Sequence, residues 1–374
     1  MPLLARVLEV PSYGWERRGG LYVPSTRELL AEFFSRTCFW RNRKYWLAAF
    51  SWSATLVQIL PLTLFIAEYF SVSLCLFGFV YSMGIMGAHG TVYYHRYSTH
   101  RAFQFKNQFW RFLIKHMVIK MVPEEQYVVS HHVHHWIAEQ PGDPYNVHGG
   151  WLYCFLADAI HQPIATNLSR EDYARVTGML SHTGIYMNSY EQYQKWGSVS
   201  HPVATFFTFC LNWAFWYSIF YTLGGHPLAC TLFGWAGAWG IGIRTFNYDG
   251  HGRGKDRRKK GIDFHRADLS INQLWPGLIT GEWHNNHHLY PHGARAGFLG
   301  YQFDSAWWII RGLAALGGIS SYRDCLNDFL EKYYRPHCRK VAEVLPSSQP
   351  VKRRARRISR KFFRVNGSPR LAPP

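Results

Sequence analysis

Acidic residues are scarce in this chain: 23 Asp and Glu stand against 41 Lys and Arg, a formal charge of +18. Such a balance invites a nucleic-acid partner. No nucleic-acid module is visible, however, and the basic residues flank hydrophobic runs. Lysines and arginines beside a membrane, facing anionic lipid, account for the charge more simply, so no nucleic-acid partner is expected. Paired cysteines are lacking too. The seven cysteines (Cys38, Cys75, Cys154, Cys210, Cys230, Cys325 and Cys338) form no C-x-x-C pair. That argues against a disulfide framework and against a cysteine-based zinc or iron–sulfur site, and it suits a reducing, cytoplasm-facing location. No secretory signal is expected either, because the first apolar run is broken by Arg6 and Glu9 and followed by Pro11.

Long charge-free runs, by contrast, are present. The hydrophobic fraction is 48% and the aromatic fraction 17%, yet mean hydropathy is only −0.19, as in a protein with a few membrane spans and a large polar part. Trp46–Ala67 and Phe70–Ala88 carry no charge, and Pro61 should kink the first. Val199–Ile243 is also free of Lys, Arg, Asp and Glu, and Gly224–Pro227 splits it. Four spans are expected, near 46–68, 70–92, 203–223 and 227–247. Residues 1–45 read as a soluble arm, 46–335 as the main domain with polar parts at 95–200 and 248–335, and 336–374 as a basic, disordered tail. Phe105–Met121 and Ser169–Tyr193 read as helices, the former interfacial, and Phe303–Leu316 and Tyr322–Tyr334 as amphipathic ones. Both short span-to-span connections lack Lys and Arg, so the positive-inside rule puts both termini and the polar parts in the cytoplasm.

The polar parts hold the most informative pattern. His131-x-x-His134-His135 and His284-x-x-His287-His288 repeat one arrangement, which chance would supply about 0.06 times in a chain with 20 histidines. On a helix, i, i+3 and i+4 share a face, so each trio can point at one centre. His95 and His100 are spaced H-x-x-x-x-H. At about 100° per residue such a pair diverges by roughly 140°, which sets one of them at a helix end. Eight histidines exceed the needs of a single zinc ion and point to two metals, and neutral imidazole suits iron, zinc, copper and nickel. His251, with Asn247 one helical turn before it, is a ninth candidate. A membrane metal transporter is the remote alternative, but transporters keep polar ligands at the bilayer midplane, whereas these clusters follow the ends of the spans.

The set of motifs resembles the membrane fatty acid desaturases, in their acyl-CoA (Δ9, stearoyl-type) branch. The matching residues are His95-Arg96 and His100-Arg101, then His131, His134 and His135 with Asp143-Pro144-x-Asn146. Asn247 with His251, Gly281-Glu282 before His284-Asn285-x-His287-His288, and Phe303-Asp304 with Trp307-Trp308 complete it. The four residues between His95 and His100 favour this branch. The resemblance implies an all-α membrane protein with four transmembrane helices and a cytosolic helical cap that holds two metals. It implies two ferrous ions bound by His95, His100, His131, His134, His135, His251, His284, His287 and His288, with Asn247 holding one through a water. It further implies O2 as co-substrate, a fatty acyl substrate that gains a cis double bond, and a membrane lipid environment in a bacterial inner membrane or the endoplasmic reticulum. No His-Pro-Gly-Gly haem motif is fused to either end, so a separate electron donor such as cytochrome b5 or ferredoxin is expected. A hydroxylase or decarboxylase with the same di-iron head remains the alternative.

Four departures stand out. His132 occupies a place that is often arginine in the family and is expected to face the substrate headgroup. Lys255, Arg257, Arg258, Lys259 and Lys260 form a loop more basic than the pattern requires, a membrane-phosphate or headgroup contact. One residue is missing before His284, so the local helix start is expected to shift. His89 and His292 match no family position and are expected to be non-ligands.

Overall fold

The computed structural model describes residues 2–251, 283–300 and 302–344. The chain is mostly helical and divides into two units, Met1–Asp324 and Cys325–Pro374. The described part of the second runs as three consecutive helical pieces, Leu326–Phe329, Leu330–Tyr334 and Arg335–Val344.

In the first unit, three helices are long and apolar enough to cross a membrane: Arg43–Glu68, Val72–Thr99 and Pro202–Thr245. The first is interrupted at Val57–Gln58, between Trp46–Leu56 and Ile59–Glu68, just ahead of Pro61, which has no N–H to continue the ladder. The third contains two limbs that meet at Gly224 and Gly225. Gly225 adopts φ 66°, a left-handed conformation that glycine tolerates without penalty. Outward faces of these helices are apolar, with Leu60, Ile66, Val72, Leu76, Leu211, Phe215 and Leu223 all exposed. An apolar belt on this scale is explained by lipid contact.

Small residues set how closely the helices approach, as is usual where there is no hydrophobic force between them. A Cβ on Gly234 would lie 2.7 Å from the Leu62 Cα, and one on Gly237 would lie 2.6 Å from the Gln58 Cβ. These glycines are three residues apart and face the first long helix one turn at a time.

The expected helix over Phe105–Met121 is shorter than its pattern suggests. Phe103–Phe105 is a strand, Gln108–Lys115 is the helix, and residues 116–122 are irregular. Three side chains from the third long helix replace the missing ladder. Asn212 accepts from the Lys120 N–H at 2.8 Å and donates to the Val118 carbonyl at 3.1 Å, while Trp213 and Trp216 donate to the carbonyls of Lys120 and His116. Irregular backbone near a membrane survives only where protein satisfies it in this way. The helix expected over Tyr322–Tyr334 is also corrected. Ile319–Tyr322 is a strand, paired antiparallel with Phe103–Phe105, and helix begins only at Leu326. Phe303–Leu316 is helical over Ser305–Ala315, and Ser169–Tyr193 splits into Arg170–Leu180 and Tyr190–Trp196. The region 1–45 carries the helix Thr26–Thr37, started by a reciprocal Ser25–Glu28 capping box.

Gly234→Val should cost about 1–3 kcal/mol, because the obstructing atom is backbone and cannot swing aside. Gly242→Ala, with nothing within 4 Å of the added Cβ, should leave stability unchanged or slightly raised. Thermal unfolding of the two variants in detergent checks the pair.

Candidate metal centre

The second long helix delivers the first two histidines by an unexpected route. Gly90–Thr99 is π-helical, with i→i+5 hydrogen bonds, and His100 is the residue that caps it. The His100 N–H donates to the His95 carbonyl at 3.1 Å. In this wider turn, residues five apart sit one above the other, and the two rings approach to 5.0 Å. His100 does stand at a helix end, as the α-helical angle requires, but the turn type is what brings it beside His95.

The two H-x-x-H-H helices do not each aim at one point. Nine histidines gather in two groups: His95, His100, His131, His135 and His287 in one, and His134, His251, His284 and His288 in the other, with the nitrogens of each group within 4.8 Å of one another. Each helix therefore gives its i, i+4 pair to one group and its i+3 residue to the other. The split follows from helical geometry, because i and i+4 differ by about 40° whereas adjacent residues differ by about 100°. Glu124–Ile137 and His284–Leu289 carry these trios. His251 directly follows the short helix Phe246–Gly250, which contains Asn247 one turn earlier.

The nitrogens face one another at contact distance. His95 Nε2 lies 2.8 Å from His287 Nε2, which lies 3.1 Å from His135 Nε2, itself 3.2 Å from His131 Nε2. In the second group, His284 Nε2 lies 2.7 Å from His251 Nε2 and 3.1 Å from His288 Nε2. Burial first, and then the neighbouring imidazoles, push His131, His135, His287 and His288 well below the ordinary histidine range, so these rings are neutral. A neutral ring has one proton. One N–H···N proton can bridge a single contact of this length, whereas a cation would be shared by all the inward lone pairs of a group. Among the described residues, the buried Nε2 atoms of His100 and His134 have no hydrogen-bond partner. One cation in each group would satisfy every inward nitrogen, and an all-imidazole set suits iron, zinc, copper or nickel.

Carboxylates stand behind the rings. His134 Nδ1 donates to Asp143 at 2.9 Å, leaving Nε2 aimed inward, and Glu139 Oε1 lies 2.8 Å from His251 Nδ1. Such outer contacts fix the tautomer and orientation of a metal-binding ring. Asp143 also accepts from the backbone N–H groups of Glu139 and Tyr145, so its own position is determined. A buried ion pair between Arg96 and Asp304, at 2.8 Å, ties the helix carrying His95 to the segment beyond the third cluster. Asp304 accepts further bonds from Ala296, Gly297 and Trp307. Asp143, Arg96 and Asp304 were visible in the motifs without a role, and Glu139 was missed. The signal for Glu139 was a lone acid beside a histidine helix, too common in sequences to single out.

The family model for fatty acid desaturases matches residues 71–323. This chain belongs to the fatty acid desaturase family. It is 34% identical over 115 residues to a Nostoc sn-2 palmitoyl-lipid 9-desaturase, covering 26% of this chain and 34% of that enzyme. It is 24% identical over 254 residues to an Arabidopsis thaliana chloroplastic palmitoyl-monogalactosyldiacylglycerol delta-7 desaturase, covering 64% and 59%. Similarity to a Limnanthes douglasii icosanoyl-CoA 5-desaturase is 24% over 291 residues, covering 75% and 73%. The match thus spans less than two thirds of the first two relatives' length. No solved structure matches.

Within this desaturase fold the departures resolve differently. Trp283, immediately before His284, takes a left-handed φ of 59°, and its indole N–H donates to the Phe303 carbonyl at 2.6 Å. A bulky residue there is strained. The turn starts the helix abruptly at His284, where the sequence is one residue short. His132 joins neither group. It is half-buried beside an open cavity of about 490 Å³ that is also lined by Arg101, Arg175, His292 and Arg323. Burial, followed by His292 and Arg101, pushes its pKa down to about 4. His89 is held by the Ile114 carbonyl, and His292 donates to the His100 carbonyl. Both stand outside the two groups. Lys255, Arg257, Arg258, Lys259 and Lys260 lie outside the described residues.

Asp143→Asn keeps the shape but reverses one hydrogen-bonding role opposite His134. It should weaken metal binding by the four-histidine group about 10–100-fold while leaving helical content unchanged. Metal retention after dialysis against a graded series of chelator concentrations checks this.

Proposed function

We propose that this chain is an O2-dependent fatty acyl desaturase that introduces a cis double bond into a long-chain acyl group, using two irons. The observation that carries the reading is the gathering of nine histidines into groups of five and four, in a chain of this family. One iron would be held by His95, His100, His131, His135 and His287, and the other by His134, His251, His284 and His288, with Asn247 contributing through a water. Bound there, two ferrous ions supply the activation of O2 that breaking an unactivated C–H bond requires. Overall, two hydrogens leave adjacent methylenes and, with two electrons and two protons from outside, reduce O2 to two waters. The electrons come singly from a separate donor such as cytochrome b5 or ferredoxin.

The chain's own residues supply position and exclusion. Asp143 and Glu139 hold His134 and His251 in the tautomer whose Nε2 faces inward. Tyr127 stacks on His131 at 5.4 Å and closes that side. Seven of the nine histidines are buried and His135 and His288 half-buried, which keeps water from the reacting atoms.

The topology we propose has four crossings, the limbs on either side of Gly224–Gly225 counting as two. Both termini and the histidine groups then lie in the cytoplasm, under a helical cap. The lack of Lys and Arg in both short connections supports this. Relatives named for lipid-linked and CoA-linked substrates leave both carriers in view. The open cavity with Arg101, His132, Arg175 and Arg323 suits the phosphate of such a carrier.

Expression in a host lacking desaturases, with mass spectrometry of the lipids, tests the proposal. New cis-monoenes with one defined bond position are expected, and His287→Ala should abolish them. Hydroxy acids or terminal alkenes would move the chain to a sister chemistry, and full activity in His287→Ala would refute the site.

A further inference from the structure

A second cavity, which shares no wall with the nine histidines, lies at the start of the third long helix. It measures about 220 Å³ and is lined by the cations Arg111, Lys115 and Lys120, the single carboxylate of Glu124, and polar Thr205 and Ser200 among others. For scale, a cavity of roughly 150 Å³ holds benzene. The lysines are buried, and both reach the same oxygen: Glu124 Oε1 lies 2.7 Å from Lys120 Nζ and 3.3 Å from Lys115 Nζ. The carboxylate remains ionised. Burial alone would raise its pKa, but Lys115 and Lys120 outweigh that and hold it down at about 2. Two buried ammonium groups thus share one negative charge. Arg111 adds a third cation. It donates to the His182 carbonyl and has no carboxylate partner among the described residues. Gly184, at φ 67°, makes room for its guanidinium, since a Cβ there would lie 2.7 Å from Nη2. Lys115 also donates to the Thr183 carbonyl and Lys120 to the Tyr94 hydroxyl, but neither partner carries charge, so three cations facing one carboxylate leave the cavity positive and an anion is its chemical complement.

The surroundings say which kind of anion. Pro202 begins a helix long and apolar enough to span a membrane, so the cavity lies at the level where a span meets headgroups. Phe112 lines the cavity and is exposed, and so are Phe109 and Leu113 on the same Gln108–Lys115 helix and Val203, Phe206 and Phe207, neighbours in sequence of the lining residues Ala204 and Thr205 on the third long helix. A soluble anion has no use for such a rim, but the acyl chains of a lipid would cover it. We propose that this cavity binds the phosphate headgroup of an anionic membrane lipid, held by Arg111, Lys115 and Lys120, with its acyl chains against the exposed aromatic rim. The site is independent of the desaturation chemistry and would persist if that reading failed.

Binding of phosphatidylglycerol and phosphatidylcholine with matched acyl chains, measured by native mass spectrometry and thermal shift on the full chain in detergent, tests this. Phosphatidylglycerol should bind at least about tenfold tighter, the size of a charged hydrogen bond. Arg111→Gln should remove that preference, and so should Thr205→Phe, which fills the cavity and leaves every charge in place. Arg41→Gln, an exposed charge elsewhere, should not. Inorganic phosphate at millimolar concentration should fail to displace the lipid. Equal binding of the two lipids, wild-type preference in both cavity variants, or an equal loss in Arg41→Gln and Arg111→Gln would overturn the proposal. Displacement by inorganic phosphate alone would overturn the lipid as its source.

Discussion

Imidazole nitrogens at about 3 Å from one another, in rings that burial keeps neutral, are the constraint on which the rest of this structure depends. A proton can satisfy one such contact at a time, whereas one cation in each group would satisfy all of its inward nitrogens at once. Each of the contributing elements then has to be held against the tendency of the site to open. Four separate stretches of chain supply the nine rings, and none could bring two metals into position alone.

What holds them is mostly buried electrostatics outside the site. The Arg96–Asp304 pair joins the first histidine helix to the segment beyond the third cluster, and Asp304 is saturated by three backbone donors. Removing one partner of such a pair typically costs about 3–5 kcal/mol, because the other is left buried and charged. Asp143 and Glu139 do a subtler job by choosing which nitrogen of each ring faces inward. At the other side of the unit, Asn212, Trp213 and Trp216 satisfy the irregular backbone of residues 116–122. That leaves Lys115 and Lys120 buried beside a cavity.

Much of this was legible in the chain. The nine histidines that the motifs singled out are the nine that the fold gathers, and the charge-free runs mark the long helices. The break at Gly224–Gly225 was readable because only glycine adopts such a conformation cheaply. Other features were not readable, for definite reasons. The pairing of His95 with His100 depends on a π-helical turn, which leaves no hydrophobic period to detect. The division of each H-x-x-H-H trio between two groups depends on where the other helix lies, and no local pattern contains that. Tyr322 reads as the start of a helix until Phe103 is found beside it as a strand partner. Residues 116–122 look helical in composition, and lose the helix to hydrogen bonds from a span nearly 100 residues away.

The central claim is that the two histidine groups each hold one redox metal. Metal analysis of the full chain, purified in detergent under reducing conditions and supplied with ferrous iron, tests it most directly. The account predicts two irons per chain, with one lost on replacing His284 by Ala and the other retained. A single iron per chain, or two irons undisturbed by that replacement, would contradict it.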